Sequence, residues 1–128
     1  MLRQEVWVDE REPGRSGWLR VALAFPSTYY VGMSNLGFQK VLALFRAQRG
    51  VSCERVFLPE GGAGPIRSFE TNSPLQKFHL LAFSISFEMD YLNVLRILDL
   101  AGIPPRREDR TAGHPLVLAG GICPTSNP

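Results

Sequence analysis

Three groups of small polar residues stand where apolar runs of this chain end, and their types decide what chemistry is open to it. Ser27, Thr28, Tyr30, Ser34 and Asn35 follow the run Val21-Ala-Leu-Ala-Phe-Pro26. Ser84 and Ser86 close the run that begins at His79, and Gly120 and Gly121 follow Leu116-Val-Leu-Ala119. Hydroxyls and a carboxamide exchange hydrogen bonds with a ligand, and paired glycines leave room for one to approach the backbone. This is the chemistry of binding. His79 and His114 flank apolar runs without zinc-ligand spacing, so no catalytic and no metal residue is assigned.

Each of these positions also has a purely structural reading. Polar residues after a strand cap helices and form turns whether or not a ligand is present. Gly32 and Gly37 serve either a close approach or a turn of positive φ, and for Gly37 the turn is favoured. Ser84 and Ser86 differ, because Val or Ile would pack better at the end of a buried strand; serine there favours a ligand-facing role. Glu88, just beyond, suits the N-terminus of a helix better than a ligand. Cys123 falls at the mouth of the expected cleft, where a thiolate would ligate or react, but a lone cysteine more often behaves as a small apolar residue.

The elements that must present these residues follow from periodicity. Five apolar residues from Val21 suit a strand buried on both faces, and Pro26 ends its ladder. A long polar-aromatic loop then leads to a helix from Phe38 to Arg49, capped by Ser34 or Asn35 and stopped by Gly50. Phe38, Leu42 and Phe45 form its apolar face, widened by Val41; Gln39, Lys40, Arg46 and Arg49 take the wet side. Ser52 to Leu58 is short and carries adjacent charges, which suits an edge strand. Glu60 to Pro65 reads as a glycine-rich hinge without the spacing of a phosphate loop. Ile66 to Ser73 is expected to hold a turn of helix and a short extended piece around Phe69.

His79 to Ser86 is the next buried strand, and Asp90 caps a second helix, Tyr91 to Ala101, ended by Gly102. Only Asn93, Arg96 and Asp99 make a polar stripe on it; Tyr91, Leu92, Leu95 and Leu98 are core by default, and so greasy a helix packs on the sheet and on something beside it. Leu116 to Ala119 is the last strand. Strands alternating with helices predict an α/β fold with parallel pairing and right-handed crossovers. The three apolar strands are expected to be central and the charged one an edge, giving the order 2-1-3-4 of the front of a flavodoxin-like open sheet.

The chain is read as an N-terminal extension, residues 1–17, with Glu5-Val-Trp-Val8 as a short edge strand, and one α/β domain, residues 18–128. Asn127-Pro128 is a helix cap followed by a good first helical residue. The expectation is therefore the front piece of a longer protein, truncated before the last strand and helix. Its fourth strand would show a bare edge or pair with a neighbouring copy.

Composition narrows the function classes. The 128 residues are 45% hydrophobic and 20% charged, so the chain can bury a real core. A net charge of +2 gives no polyanion signature, and the twelve arginines are scattered, with Arg106-Arg107 the one adjacent pair; no nucleic-acid partner is expected. No apolar run approaches membrane-span length, so no membrane partner is expected either. Two cysteines, Cys53 and Cys123, and no leader pattern point to a reducing, cytoplasmic setting.

Several stretches together carry a family resemblance. They are Ala24-Phe-Pro26, Tyr30-Val-Gly-Met-Ser-Asn-Leu-Gly37, Glu54-Arg-Val-Phe57, Leu81-Ala-Phe-Ser-Ile-Ser-Phe-Glu88, Tyr91-Leu-Asn-Val-Leu95, Leu98-Asp-Leu-Ala-Gly-Ile-Pro104 and Leu116 to Pro128. With these the chain resembles the N-terminal, cobalamin-binding-like domain of an uncharacterised group of radical S-adenosylmethionine proteins. The resemblance implies a parent with this domain in front and a barrel behind as its partner. The barrel's Cys-x-x-x-Cys-x-x-Cys triplet would hold a 4Fe–4S cluster that cleaves S-adenosylmethionine. The two cysteines here stand seventy positions apart and cannot hold such a cluster, so this stretch reads as an accessory domain without catalytic machinery of its own.

The resemblance also makes cobalamin a candidate ligand. Well-known cobalamin domains carry Asp-x-His-x-x-Gly after the first strand; here the loop reads Ser27-Thr-Tyr-Tyr-Val-Gly32, which excludes histidine ligation of cobalt from that position. Ser84-Ile-Ser86 and Gly120-Gly121 match positions that line the nucleotide-tail cavity in those domains. Tyr29, Tyr30 and Met33 read equally well as filling that cavity. Two alternatives stand beside this. One is a docking module with a degenerate cavity. The other is a flavodoxin-like nucleotide binder, ranked last for want of a Ser/Thr/Gly-rich phosphate loop.

Overall fold

The apolar runs become strands, and all their pairings are parallel. The computed structural model describes residues 19–59 and 64–121. In it β1 (Leu19–Phe25), β2 (Val51–Phe57), β3 (Leu80–Ser84) and β4 (Leu116–Gly120) form one sheet in the order β2-β1-β3-β4. Val21 lies beside Cys53 on one side and Leu80 on the other, and Leu80 lies beside Leu116, so the four C-terminal ends emerge together. This is the α/β class and strand order that the alternation predicts. The extension with Glu5–Val8, most of the hinge after Pro59, and the tail with Cys123 and Asn127-Pro128 lie outside the described residues.

Parallel strands need crossovers, and here they fall on opposite faces. α2 (Leu36–Ala47) connects β1 to β2 and packs Phe38 and Leu42 against Val21, Leu23, Phe25 and Cys53. α3 (Asp90–Ala101) connects β3 to β4 and packs Ile97 and Leu98 against Ala22, Ala24, Leu81 and Phe83 on the other face. Asn35 is the α2 cap, its Oδ1 accepting the Phe38 N–H at 2.9 Å. Gly102 ends α3 in the left-handed region at φ 71°, where glycine carries no Cβ penalty.

Several expectations are corrected. The stretch between Pro26 and Asn35 is not all loop but contains a short helix, α1 (Tyr29–Met33). Gly37 lies in the first turn of α2 and is not among the positive-φ glycines. Asp90 is the first residue of α3 and not its cap; Met89 holds that position, and Asp90 reaches back to accept the Phe87 N–H. Leu92 and Leu95 are exposed, at 67% and 51%, because α3 turns only one side to the sheet. β4 forms the other edge of the described sheet, as the order 2-1-3-4 and the expected bare fourth strand have it, with Leu116 and Leu118 exposed. Residues 66–73 hold one isolated turn and no helix: the Asn72 N–H bonds the Ser68 carbonyl at 3.1 Å, an antiparallel bridge joins Arg67 to Pro74, and a 3-10 turn follows at Leu75–Lys77.

The largest correction concerns charge. β2 is an edge strand, as its charges suggested, but those charges are not in water. Glu54 and Arg55 are buried, and so is Arg46 on the supposed wet side of α2. The segment 64–74 lies along the outer edge of β2 and supplies the partners. Phe69 donates its N–H to the Arg55 carbonyl at 2.7 Å, and the Arg55 N–H goes to Glu70 Oε1 at 2.8 Å, so the edge is occupied and not bare. Arg46 donates to the Cys53 carbonyl and to Glu70. Removing Arg46 would take a donor from the buried Glu70 carboxylate and from the Cys53 carbonyl at once. Arg46→Ala should therefore lower the unfolding free energy by about 3 kcal/mol. Arg49→Ala, in the exposed turn just after α2, should change it by less than about 0.5 kcal/mol. Urea denaturation of the two variants checks the contrast.

Candidate functional site

α2 packs over β1 and β2 and reaches β3 at Leu80 and Ala82, so among the described residues the same face of β4 stays open, with Leu116 and Leu118 exposed on it. Between that open face and α2 lies a groove of about 630 Å³ that runs to the strand tips. Leu23, Ala82 and Leu118 form part of its apolar floor, and Val41 and Phe45 form part of the α2 wall. Its polar groups gather at the tip end: Asn35, Ser84 and Ser86, with the backbone of Gly120 and Gly121 opposite. An apolar trench with a few convergent hydrogen-bonding groups at one end is the usual form of a small-molecule site.

Local folding places each of these residues. Asn35 is held from both ends of its carboxamide, Oδ1 by the Phe38 N–H and Nδ2 by Ser86 Oγ at 3.2 Å. That bond ties the loop after β1 to the loop after β3. Ser84 ends β3 and pairs in register with Gly120 at the end of β4. Gly120 leaves space, since a Cβ built there meets nothing within 4 Å. Gly121 is different: its φ is 119°, and a Cβ would collide with the Ile85 backbone. Ile85 in turn donates its N–H to the Gly120 carbonyl at 2.8 Å.

The sequence-predicted residues divide. Asn35, Ser84, Ser86, Gly120 and Gly121 come together in the groove. Ser27, Thr28, Tyr30 and Ser34 do not line it. The Ser27 carbonyl accepts the Leu58 N–H; Thr28 stands at the α1 cap position and its carbonyl accepts from Gly32. Ser34 Oγ bonds the Tyr30 carbonyl, and the Tyr30 side chain is exposed. Tyr29 and Met33 do not line the groove either. Tyr29 stacks on Phe69 at 4.9 Å, and Met33 packs with the α2-face core. Leu36, Phe87 and Leu118 line the groove and were not singled out from sequence. Leu36 and Phe87 had one signal available, as large apolar residues directly after polar tips.

Among the described residues no histidine, cysteine or carboxylate lines the groove, so none of them gives it an acid–base pair. His79 accepts the Arg20 N–H and His114 the Thr111 N–H, both through Nδ1, as ordinary hydrogen-bonded histidines. Burial raises the Asp90 carboxyl above its usual range, against the lowering effect of the Phe87 N–H. Burial also pushes the Cys53 thiol from 9.0 up to about 12, beside Arg46, which pulls the other way. Among the described residues no group of three or more His, Cys, Asp or Glu is placed to hold a metal ion. No helix among them is long and apolar enough to cross a membrane.

A family model described as radical SAM proteins, N-terminal, matches residues 37–128, more than two thirds of the chain. No curated protein and no solved structure matches the chain.

The two glycines at the mouth should respond unequally. Gly121→Ala is expected to cost about 2 kcal/mol, since alanine is strained at that φ. Gly120→Ala should stay within about 0.5 kcal/mol; thermal melts distinguish them. Cys53 should resist a thiol reagent at pH 8 until the protein unfolds. Its folded pKa lies above its unfolded value, so the stability it contributes is whole below pH 9.0 and falls as pH rises toward about 12. Denaturation midpoints measured across that range test the sign.

Proposed function

Because the chain belongs to the family of radical SAM protein N-terminal domains, we propose that it is an accessory domain that presents a ligand groove to the catalytic domain of its parent enzyme. The ligand that suits the groove best is cobalamin, which Asn35, Ser84 and Ser86 would hold. The observation that carries this is the convergence of Asn35, Ser84, Ser86, Gly120 and Gly121, from three separate stretches of sequence, at one end of an apolar groove.

The residues present fit the tail of that cofactor. A flat heteroaromatic base would lie against Leu23, Ala82 and Leu118, where Gly120 leaves the space open. Ser84, Ser86 and the Asn35 carboxamide would hydrogen-bond the polar part of the tail. Neither histidine of the chain lines the groove, so the residues that would hold the cofactor are Asn35, Ser84 and Ser86 with the Gly120–Gly121 backbone. Bound there, the cofactor would supply cobalt-centred carriage of a methyl group or an electron. The chain's own residues would bind it, orient it and keep water from its buried end. The 4Fe–4S cluster and S-adenosylmethionine belong, on this reading, to the barrel of the parent, which is the domain's partner.

A second reading has its own observation. Leu36, Phe87 and Leu118 are exposed at 81%, 60% and 52% around an apolar groove, which also suits a docking surface for protein. A nucleotide binder is less well supported, since the loop after β1 offers no phosphate cradle.

Titration of the full-length protein with hydroxocobalamin separates the readings. Ligand binding predicts a change in the corrin absorption and a rise in melting temperature. It also predicts that Gly120→Leu, which fills the trench from a position without steric conflict, weakens binding by at least about tenfold. Neither a spectral nor a thermal change in the full-length protein would leave the docking module. A parent without a downstream three-cysteine motif would end the radical-enzyme reading altogether.

A further inference from the structure

One cluster of buried charge has no part in the groove, yet it reaches the loop that feeds it. Glu70, with 1% of its side chain exposed, accepts from Arg55 Nε and from Arg46 Nη2, each at 2.7 Å, and from the Arg55 backbone N–H. The guanidinium of Arg55 lies over the Phe69 ring, 4.7 Å from its centroid, and its Nη1 approaches Met33 Sδ at 3.5 Å. Phe69 stacks on Tyr29 with 12° between the rings, and Phe57 stands edge-on to both. Gly32 completes the packing, because a Cβ there would overlap the Phe57 ring. Tyr29, Gly32 and Met33 make up most of α1, and the Asn35 N–H bonds the Gly32 carbonyl at 3.0 Å.

We infer that Glu70 is a positioning residue for the groove: it fixes Arg55 and Phe69, which hold α1 in place and so aim Asn35 at Ser86. Apolar residues would cover the β2 edge as well as an ion cluster does, often at lower cost. What they lack is direction. A carboxylate taking three donors from two elements sets the segment 64–74 in one register, and aromatic stacking passes that register to α1. A binding group held to within a fraction of an ångström needs such support from outside the site. The residues are far apart in sequence and none lines the groove, so their effect on a ligand would be indirect.

The function of this clamp rests on the groove reading, but its mechanical part is testable without a ligand. Hydrogen exchange of the full chain is compared for wild type, Glu70→Gln and Phe69→Leu. Glu70→Gln should speed exchange of the amides in 27–35 and 64–74 by at least about tenfold and leave those of β3 and α3 unchanged. Phe69→Leu, which leaves the charges intact, should loosen 27–35 by a smaller factor. Faster exchange everywhere would make Glu70 a general support of the domain and overturn the inference. So would loosening of 64–74 without 27–35. If Glu70→Gln does not fold, Phe69→Leu decides, and unchanged exchange in 27–35 overturns it. With hydroxocobalamin as the probe, Glu70→Gln should bind about tenfold more weakly than wild type. Wild-type protein that binds none sinks the groove reading, and the exchange pattern then judges the clamp alone.

Discussion

Parallel pairing is the constraint from which the rest of this structure follows. Strands that run the same way cannot be joined by a tight turn, so each connection must cross a face of the sheet. Every strand then starts at one end and finishes at the other. The residues after β1, β3 and β4 are brought to one place by that rule alone, although some fifty positions separate Asn35 from Ser86. The groove is a second consequence. α2 covers β1 and β2 and touches β3 at Leu80 and Ala82, and among the described residues the α2-side face of β4 is left open.

The edge at β2 is managed by a different force. An edge strand leaves backbone donors and acceptors unpaired, and this one also carries Glu54 and Arg55. The segment 64–74 answers both needs at once. On one face Glu54 receives Thr71 and the Arg20 guanidinium, the latter at 3.3 Å; on the other, Glu70 receives Arg46 and Arg55. Burying charges costs much more than burying methylene groups, and only dense hydrogen bonding offsets it. The cluster is therefore better understood as a source of geometry than of net stability.

Groove and clamp meet in α1. This helix has only five residues and no side-chain cap, and it could not hold its shape alone. It is kept in place by Phe57 and Phe69 on the β2 side and by Asn35 on the groove side. In a chain that belongs to the radical SAM N-terminal family, this short helix thus stands between the buried ion cluster and the polar end of the groove.

How much of this was legible in the chain depends on the range of the interactions. Apolar runs, a short charged stretch for β2, and proline or glycine after them were enough to read the strands, their order, a cap at Ser34 or Asn35 and the stop at Gly102, because those signals are local. Ser84, Ser86 and the Gly120-Gly121 pair stood out because they are poor choices for a buried strand end, and they do line the groove. Ser27, Thr28, Tyr30 and Ser34 had the same polar character but point elsewhere, since a single turn of helix at Tyr29–Met33 redirects them. Arg46 could be assigned to water from its helical phase, and that failed because the segment that buries it arrives from 24 residues further on. The sequence by itself determined the layers and the end of the sheet where a ligand would sit, since both follow from hydrophobic period and chain direction. Only the tertiary structure decided which polar side chains face the groove and which charges lie in the dark, because those choices depend on contacts between segments that no local pattern connects.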